Sequence, residues 1–181
     1  HWRAKLKDIQ VLYFATDYER PLVHIYEAAS QQVNINKQQV DQYAKEQGLS
    51  ARSLLLAAYK MALAKSTDLS DIVIGSWSDP RTEQMSAMVG PLQNLIVLRS
   101  EIDHETSLGS LCHRVDKEWS DAQAYSTMPF DKLVTALNPK KDMSRTALFD
   151  FLFHYEEEDC LTVNNQGGGK NDFILLAKAN A

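Results

Sequence analysis

The chain has 181 residues, 44% of them hydrophobic and 24% charged, which suits one large domain or lobe with a real core. A formal net charge of −5 gives a nucleic-acid partner no electrostatic support. Cys112 and Cys160 stand alone without a CxxC pair or a His at ligand spacing, which argues against a disulfide framework or a metal site and fits a reducing cytoplasm. No apolar run approaches the roughly 18 residues of a membrane span, and no signal-peptide pattern opens the chain. The start, His1-Trp2-Arg3, lacks an initiator Met and reads as the middle of a longer polypeptide.

Residues 1–21 read as a connecting segment. Trp2 and Leu6 share one helical face, and Thr16–Pro21 is turn-like. Leu22–Ala28 alternates like a strand, with His24 as a packed or edge-strand histidine. Asn36 is the expected N-cap of a helix through Gln47, with Val40, Tyr43 and Ala44 inward and Gly48 as its stop. Ser50 caps a second helix whose run Leu54, Leu55, Leu56, Ala58, Met61, Ala62 is apolar nearly all round, so it is expected to be central.

The stretch from Asp71 to Arg99 holds two apolar runs bounded by Gly and Pro, which read as strands with buried faces. Between them lie Ser76, Trp77, Ser78, Asp79 and Arg81, and Asn94 opens the second run after Gly90-Pro91. Polar groups at the mouths of core strands are where ligand contacts are commonly mounted. The same pattern also fits a surface loop and a buried amide satisfied by backbone.

Thr106 is the expected cap of a helix through Ala124, with Leu108, Leu111, Cys112, Val115, Trp119 and Ala122 as its stripe and His113 solvated. Pro129 suits a first helical turn, followed by Phe130, Leu133, Val134 and Leu137 up to Pro139. Ala147–Tyr155 is apolar on both faces and reads as an interior strand. Glu156–Asp159 reads as a solvated acidic loop, Asn164–Lys170 as a glycine-rich linker and Asp172–Ala177 as a final strand. Bottom-up, the fold class is α/β (α+β), with helices on one face of a mixed sheet.

Chemical signatures are sparse. Gly167–Lys170 lacks phosphate-loop spacing, no GxSxG elbow exists, and the five histidines form no pair. No residue pattern declares a catalytic machine.

A resemblance carries the reading further. Val89-Gly90-Pro91-Leu92-Gln93-Asn94 resembles the Gly-x-Phe-x-Asn-Thr segment of nonribosomal peptide synthetase condensation domains. His1-Trp2 and Asp17-x-x-Arg20-Pro21 are similar to the family's Tyr-Trp and Asp-x-x-Arg-Pro connector. Ser53–Tyr59 is similar to its buried helix and Asp71–Gly75 to the strand that follows. Met128-Pro129-Phe130-Asp131 is similar to a Pro-Phe-Glu segment, and Lys141–Phe149 to Arg-Asp-x-Ser-Arg-x-Pro-Leu-Phe. The departures are Pro80 for Gly, Leu92 for Phe, Leu95 for Thr, Lys141 for Arg and Ala147 for Pro.

The resemblance implies a chloramphenicol-acetyltransferase-like sandwich of two lobes with a tunnel between them. It implies residues 1–21 as the interlobe connector and 22–181 as the C-terminal lobe. The family joins a carrier-bound acyl or peptidyl thioester to a carrier-bound amine, both on phosphopantetheine arms. Its His-His-x-x-x-Asp-Gly motif sits in the N-terminal lobe and is absent here, so no catalytic residue is assigned, and the isolated lobe is expected to be inactive. By the same resemblance Asn94 lies near the tunnel, with Ser76, Trp77 and Ser78 beside it. Gly90, Arg81, Pro129, Phe130, Asp142, Ser144 and Arg145 are implied as structural positions, and the segment after Tyr155 as a latch to the other lobe. The expected partners are the N-terminal lobe and donor and acceptor carrier domains, with no cofactor or metal bound directly and no nucleic acid or membrane. Two alternatives stay open: a lobe of a CoA-dependent acyltransferase, or a non-catalytic carrier-docking domain in a hybrid polyketide–peptide synthase.

Overall fold

A computed structural model describes residues 1–10, 12–23, 29–85, 87–90, 92–140, 142–156 and 173–178. Its centre is a four-stranded mixed sheet of order β2-β1-β3-β4, built from β1 (Asp71–Ser78), β2 (Asn94–Glu101), β3 (Phe151–Glu156) and β4 (Phe173–Lys178). β1 and β2 are antiparallel in register from Asp71↔Glu101 to Ser78↔Asn94. β3 runs parallel to β1, and β4 parallel to β3. The interior position expected for β3 and the mixed sheet are thus both present.

The helices are α1 (Trp2–Lys5), α2 (Lys37–Glu46), α3 (Ala51–Thr67), α4 (Leu108–Ala124) and α5 (Phe130–Leu137). Asn36 caps α2 by accepting the Gln39 N–H at 3.2 Å, and Gly48 ends it at φ +66°, where a side chain would be strained. Ser50 caps α3 by accepting the Ser53 N–H at 3.1 Å. α3 and α4 pack on the sheet face that carries Ile72, Ile74 and Ser76 of β1 and Ile96, Leu98 and Ser100 of β2, which alternate toward the helices. Ile72, Ile74, Ile96, Leu98, Leu111, Val115, Phe151 and Phe153 are fully buried there. Each contributes on the order of 1.5–3 kcal/mol of transfer free energy, so this face holds much of the hydrophobic core.

Several expectations are corrected. Leu22 and Val23 form an exposed bend rather than a strand start; the sheet ladders of the described residues do not include them, and His24–Ala28 lie outside those residues. Tyr43 faces out, because α2 rests on α3 through a narrow stripe of Val40 and Ala44. α3 is not buried all round: Ala58 and Ala62 are exposed, and the buried face instead includes Lys60. Ser107, not Thr106, caps α4, since the Thr106 hydroxyl is already engaged with Asp103 Oδ1 at 2.5 Å. Pro129 is the N-cap residue of α5 rather than its first turn.

β3 starts at Phe151, four residues later than expected. Asp150 takes the Thr146 N–H at 3.1 Å and Arg145 at 2.6 Å, a local side-chain arrangement that competes with the ladder. Glu156 closes β3 instead of opening a loop. The rest of the acidic run, Cys160 and the glycine-rich segment lie outside the described residues.

Candidate functional site

The site is assembled where β1 ends and β2 begins. Ser78 and Asn94 are Cα partners across that ladder; Ser78 holds the last turn of α4 and Asn94 the loop between α4 and α5. The Asn94 carboxamide donates from Nδ2 to the Ser126 and Met128 carbonyls, each at 2.7 Å. Its Oδ1 accepts the Phe130 N–H at 3.2 Å, at the first turn of α5. Ser78 Oγ, almost fully buried, donates to Gln123 Oε1 at 2.6 Å, while the Gln123 carbonyl accepts the Ser126 N–H at 3.0 Å. Ser78 therefore braces the helix turn that leads into the loop, and Asn94 holds the loop itself.

Ser76 is buried and donates to the Phe153 carbonyl at 2.8 Å, tying β1 to β3 where their hydrogen-bonded register is short. Trp77 alternates to the other face and is 37% exposed, so it alone of the four nominated side chains presents an open surface. Arg81 spans the long β1–β2 loop: its guanidinium pairs with Asp79 and donates to the Gly90 carbonyl at 3.1 Å. A β-carbon at Gly90 would meet open space, so its role here is that carbonyl.

Asp142, Ser144 and Arg145 form a second constellation. Asp142 Oδ1 accepts the Ser144 N–H at 2.8 Å and the Ser144 hydroxyl at 2.6 Å, which holds this carboxyl below the usual carboxylate range. The Ser144 carbonyl accepts Arg20 Nη1 at 3.0 Å. Arg145 reaches buried Asp150 at 2.6 Å and stacks its guanidinium over the Tyr13 ring at 4.6 Å. The two arginines clasp the segment expected to be the connector onto the loop at 142–150. Phe130 packs at 5.5 Å on Phe149, so Pro129 and Phe130 seat α5.

A third cluster has no counterpart in the sequence expectations. Lys60 Nζ, wholly buried, donates to Ser100 Oγ and Glu118 Oε2, each at 2.8 Å, and Ser100 Oγ donates to the same carboxylate oxygen at 2.6 Å. Lys5 Nζ stands 3.8 Å from Glu118 Oε1. Burial pulls the Lys60 ammonium below its ordinary value, and Glu118 draws it back. The signal was present in the spacing: Glu118 falls on the buried stripe of α4 with Val115 and Ala122.

Among the described residues no group of His, Cys, Asp and Glu is placed to hold a metal ion, and no helix is long and apolar enough to cross a membrane. The bonds made by Ser76, Ser78 and Asn94 run to carbonyls and amides, and none brings a base to a nucleophile. The arrangement positions backbone; it does not by itself transfer a proton.

The model of the condensation-domain family matches residues 1–171, and the chain belongs to that family. It is 31% identical over 150 residues to surfactin synthase subunit 1 of Bacillus subtilis (strain 168), covering 81% of this chain and 4% of that one. It is 33% identical over 156 residues to bacitracin synthase 2 of Bacillus licheniformis, covering 84% of this chain and 6% of that one. The chain thus spans only a small part of these multidomain synthases. The X-domain from teicoplanin biosynthesis, solved in complex with OxyB, superposes with a TM-score of 0.86 at 20% identity, covering 99% of this chain and 42% of that chain. That likeness establishes the fold, a mixed sheet with helices packed on it, as in condensation domains.

Proposed function

We propose that this chain is the C-terminal lobe of a nonribosomal peptide synthetase condensation domain, with residues 1–21 as the connector from the N-terminal lobe. In that domain an amine on the acceptor carrier attacks the thioester carbonyl of the donor. The C–N bond forms, the C–S bond breaks, and the donor's phosphopantetheine thiol leaves. The histidine that handles the proton belongs to the His-His-x-x-x-Asp-Gly motif, which this sequence does not contain. This lobe's part is to supply one wall of the tunnel. Both substrates arrive on carrier domains, so the lobe needs no cofactor of its own, and the cytoplasm is the compartment that fits.

The observation that carries this reading is the meeting of two family-like segments at one place. Asn94, from the Gly-x-Phe-x-Asn-Thr-like segment, organises the loop that leads into Pro129-Phe130, the Pro-Phe-Glu-like segment. A shared tunnel needs a rigid wall, because substrate positioning is lost when supporting groups shift by an ångström. The Ser78–Asn94 pair supplies that rigidity. Ser76, Ser78 and Asn94 act from within the wall, and Trp77 offers the exposed ring.

The test is amide formation by the complete condensation domain with donor and acceptor loaded on their carriers. The proposal expects product from carrier-bound partners and none from a free CoA thioester. Product from the CoA thioester would make this a lobe of a CoA-dependent acyltransferase instead. Carrier binding without product would make it a docking domain.

A further inference from the structure

The loop that Asn94 holds from the sheet side is held from a second side by the N-terminal segment. The Tyr125 carbonyl accepts two hydrogen bonds, the Met128 N–H at 3.3 Å and the Trp2 indole N–H at 3.4 Å. The His1 ring stacks on the Tyr125 ring at 3.9 Å between centroids and 12° between planes, and it meets the Trp2 indole edge-on. Trp2 is itself buried, at 8% exposure, so its ring is a fixed post rather than a surface side chain. The outer side of the loop borders a depression of about 410 Å3 lined by His1, Trp2, Thr127, Met128, Pro129 and Lys132. Support on that side comes from Trp2 and His1.

We infer that Trp2 is a positioning residue for the Tyr125–Phe130 loop, acting through the Tyr125 carbonyl as the opposite anchor to Asn94. The loop is a short span between two posts. Ser126, Met128 and Phe130 have their N–H groups tied to Gln123, Tyr125 and Asn94 respectively. Freeing the Tyr125 carbonyl from the indole leaves the turn held from one side. Because residues 1–21 are read as the connector between lobes, the placement of the loop depends on the lobe junction as well as on the sheet. The link to catalysis rests on the proposed function above; the link between Trp2 and the loop does not.

The experiment is Trp2→Phe in the complete condensation domain, which keeps a buried aromatic ring and removes the indole donor. Loss of one hydrogen bond is expected to raise amide exchange at Ser126, Met128 and Phe130 roughly 3- to 10-fold, with the remaining core amides unchanged. The rate constant kcat falls by a similar factor while KM for the carrier-bound donor is kept. Adding Asn94→Ala to Trp2→Phe costs less than the sum of the separate changes, because both act on one loop. Unchanged exchange in the loop, or strict additivity of the two substitutions, would overturn the inference. Faster loop exchange with an unaltered kcat would uphold the role of Trp2 and count against the loop as part of the reaction site.

Discussion

Ser78 and Asn94 sit opposite one another on antiparallel strands; the Ser78 side chain reaches Gln123 in the last turn of α4, 45 positions along the chain, and that of Asn94 reaches the loop that follows, starting 32 positions along. A paired position on a ladder is among the most rigid places a fold offers, since both backbones are fixed by the sheet. Mounting the loop there transfers the stiffness of the sheet to Pro129 and Phe130. The polar residues at the strand mouths therefore act as fixed anchors for the segment that runs from α4 into α5.

Asn94→Ala removes three hydrogen bonds and leaves the Ser126 and Met128 carbonyls to find water. A stability loss of about 1–3 kcal/mol is expected by chemical denaturation. Asn94→Asp keeps the acceptor for the Phe130 N–H but loses both donors, and places a carboxylate against two carbonyls. It should be at least as damaging as alanine. An Asp variant as stable as wild type would show that the Nδ2 bonds carry no weight.

The Lys60–Glu118 pair should behave as a buried ion pair. Lys60→Met alone leaves the Glu118 carboxylate without its buried ammonium partner, and is expected to cost about 3–5 kcal/mol. Lys60→Met combined with Glu118→Met should recover most of that loss. Equilibrium denaturation of the three variants measures both effects.

The same lysine sets a pH dependence. Its folded-state value lies below the ordinary 10.5, so the unfolded chain binds the extra proton. Stability from this group therefore rises with pH between the folded value and about 10.5, and is lost as pH falls through the folded value. Tyr59 works in the opposite sense at higher pH. Burial raises its phenol above the ordinary 10.0, so stability is lost once the pH exceeds that figure. Denaturation midpoints should climb more steeply with pH, on the way up to about 10.5, in the wild type than in the Lys60→Met, Glu118→Met double variant. Parallel profiles would contradict the assignment.

Gly75 lies where a β-carbon would overlap the Phe149 ring. Gly75→Ala is expected to cost about 1–3 kcal/mol as an overpacking change. Phe149→Leu in the same chain should relieve part of that cost, giving a double variant more stable than the sum of the singles predicts. Calorimetry or denaturant melts would settle the coupling.

Arg145→Met leaves Asp150, 5% exposed, without its cation and releases the Tyr13 ring. A loss of about 3 kcal/mol is expected, with faster amide exchange in residues 12–20 as the clasp on that segment opens. Asp150→Asn in the same background should reduce the loss.

Much of this architecture was legible because it obeys local rules. Asn36 and Ser50 are short polar side chains ahead of helical runs, and the structure finds both as caps. β1 and β2 announce themselves as apolar runs between Gly and Pro. What escaped depends on partners distant in sequence. Thr106 and Ser107 are equally able to cap, and the choice falls to Ser107 because Asp103 occupies the other hydroxyl. Glu118 stands on the buried stripe of α4, but its partner Lys60 is 58 positions away, and the spacing within one helix does not name that partner. Asn94 could be placed by resemblance. Its three bonds, to a loop more than 30 positions away, could not be foreseen from spacing.

The most direct test of the central claim is complementation. This chain is mixed with a separately produced N-terminal lobe of a condensation domain that carries the His-His-x-x-x-Asp-Gly motif, in the presence of loaded donor and acceptor carriers. The account predicts amide product only when both lobes are present, and a reduced yield when the chain carries Asn94→Ala. Product from this chain without the other lobe would contradict the account.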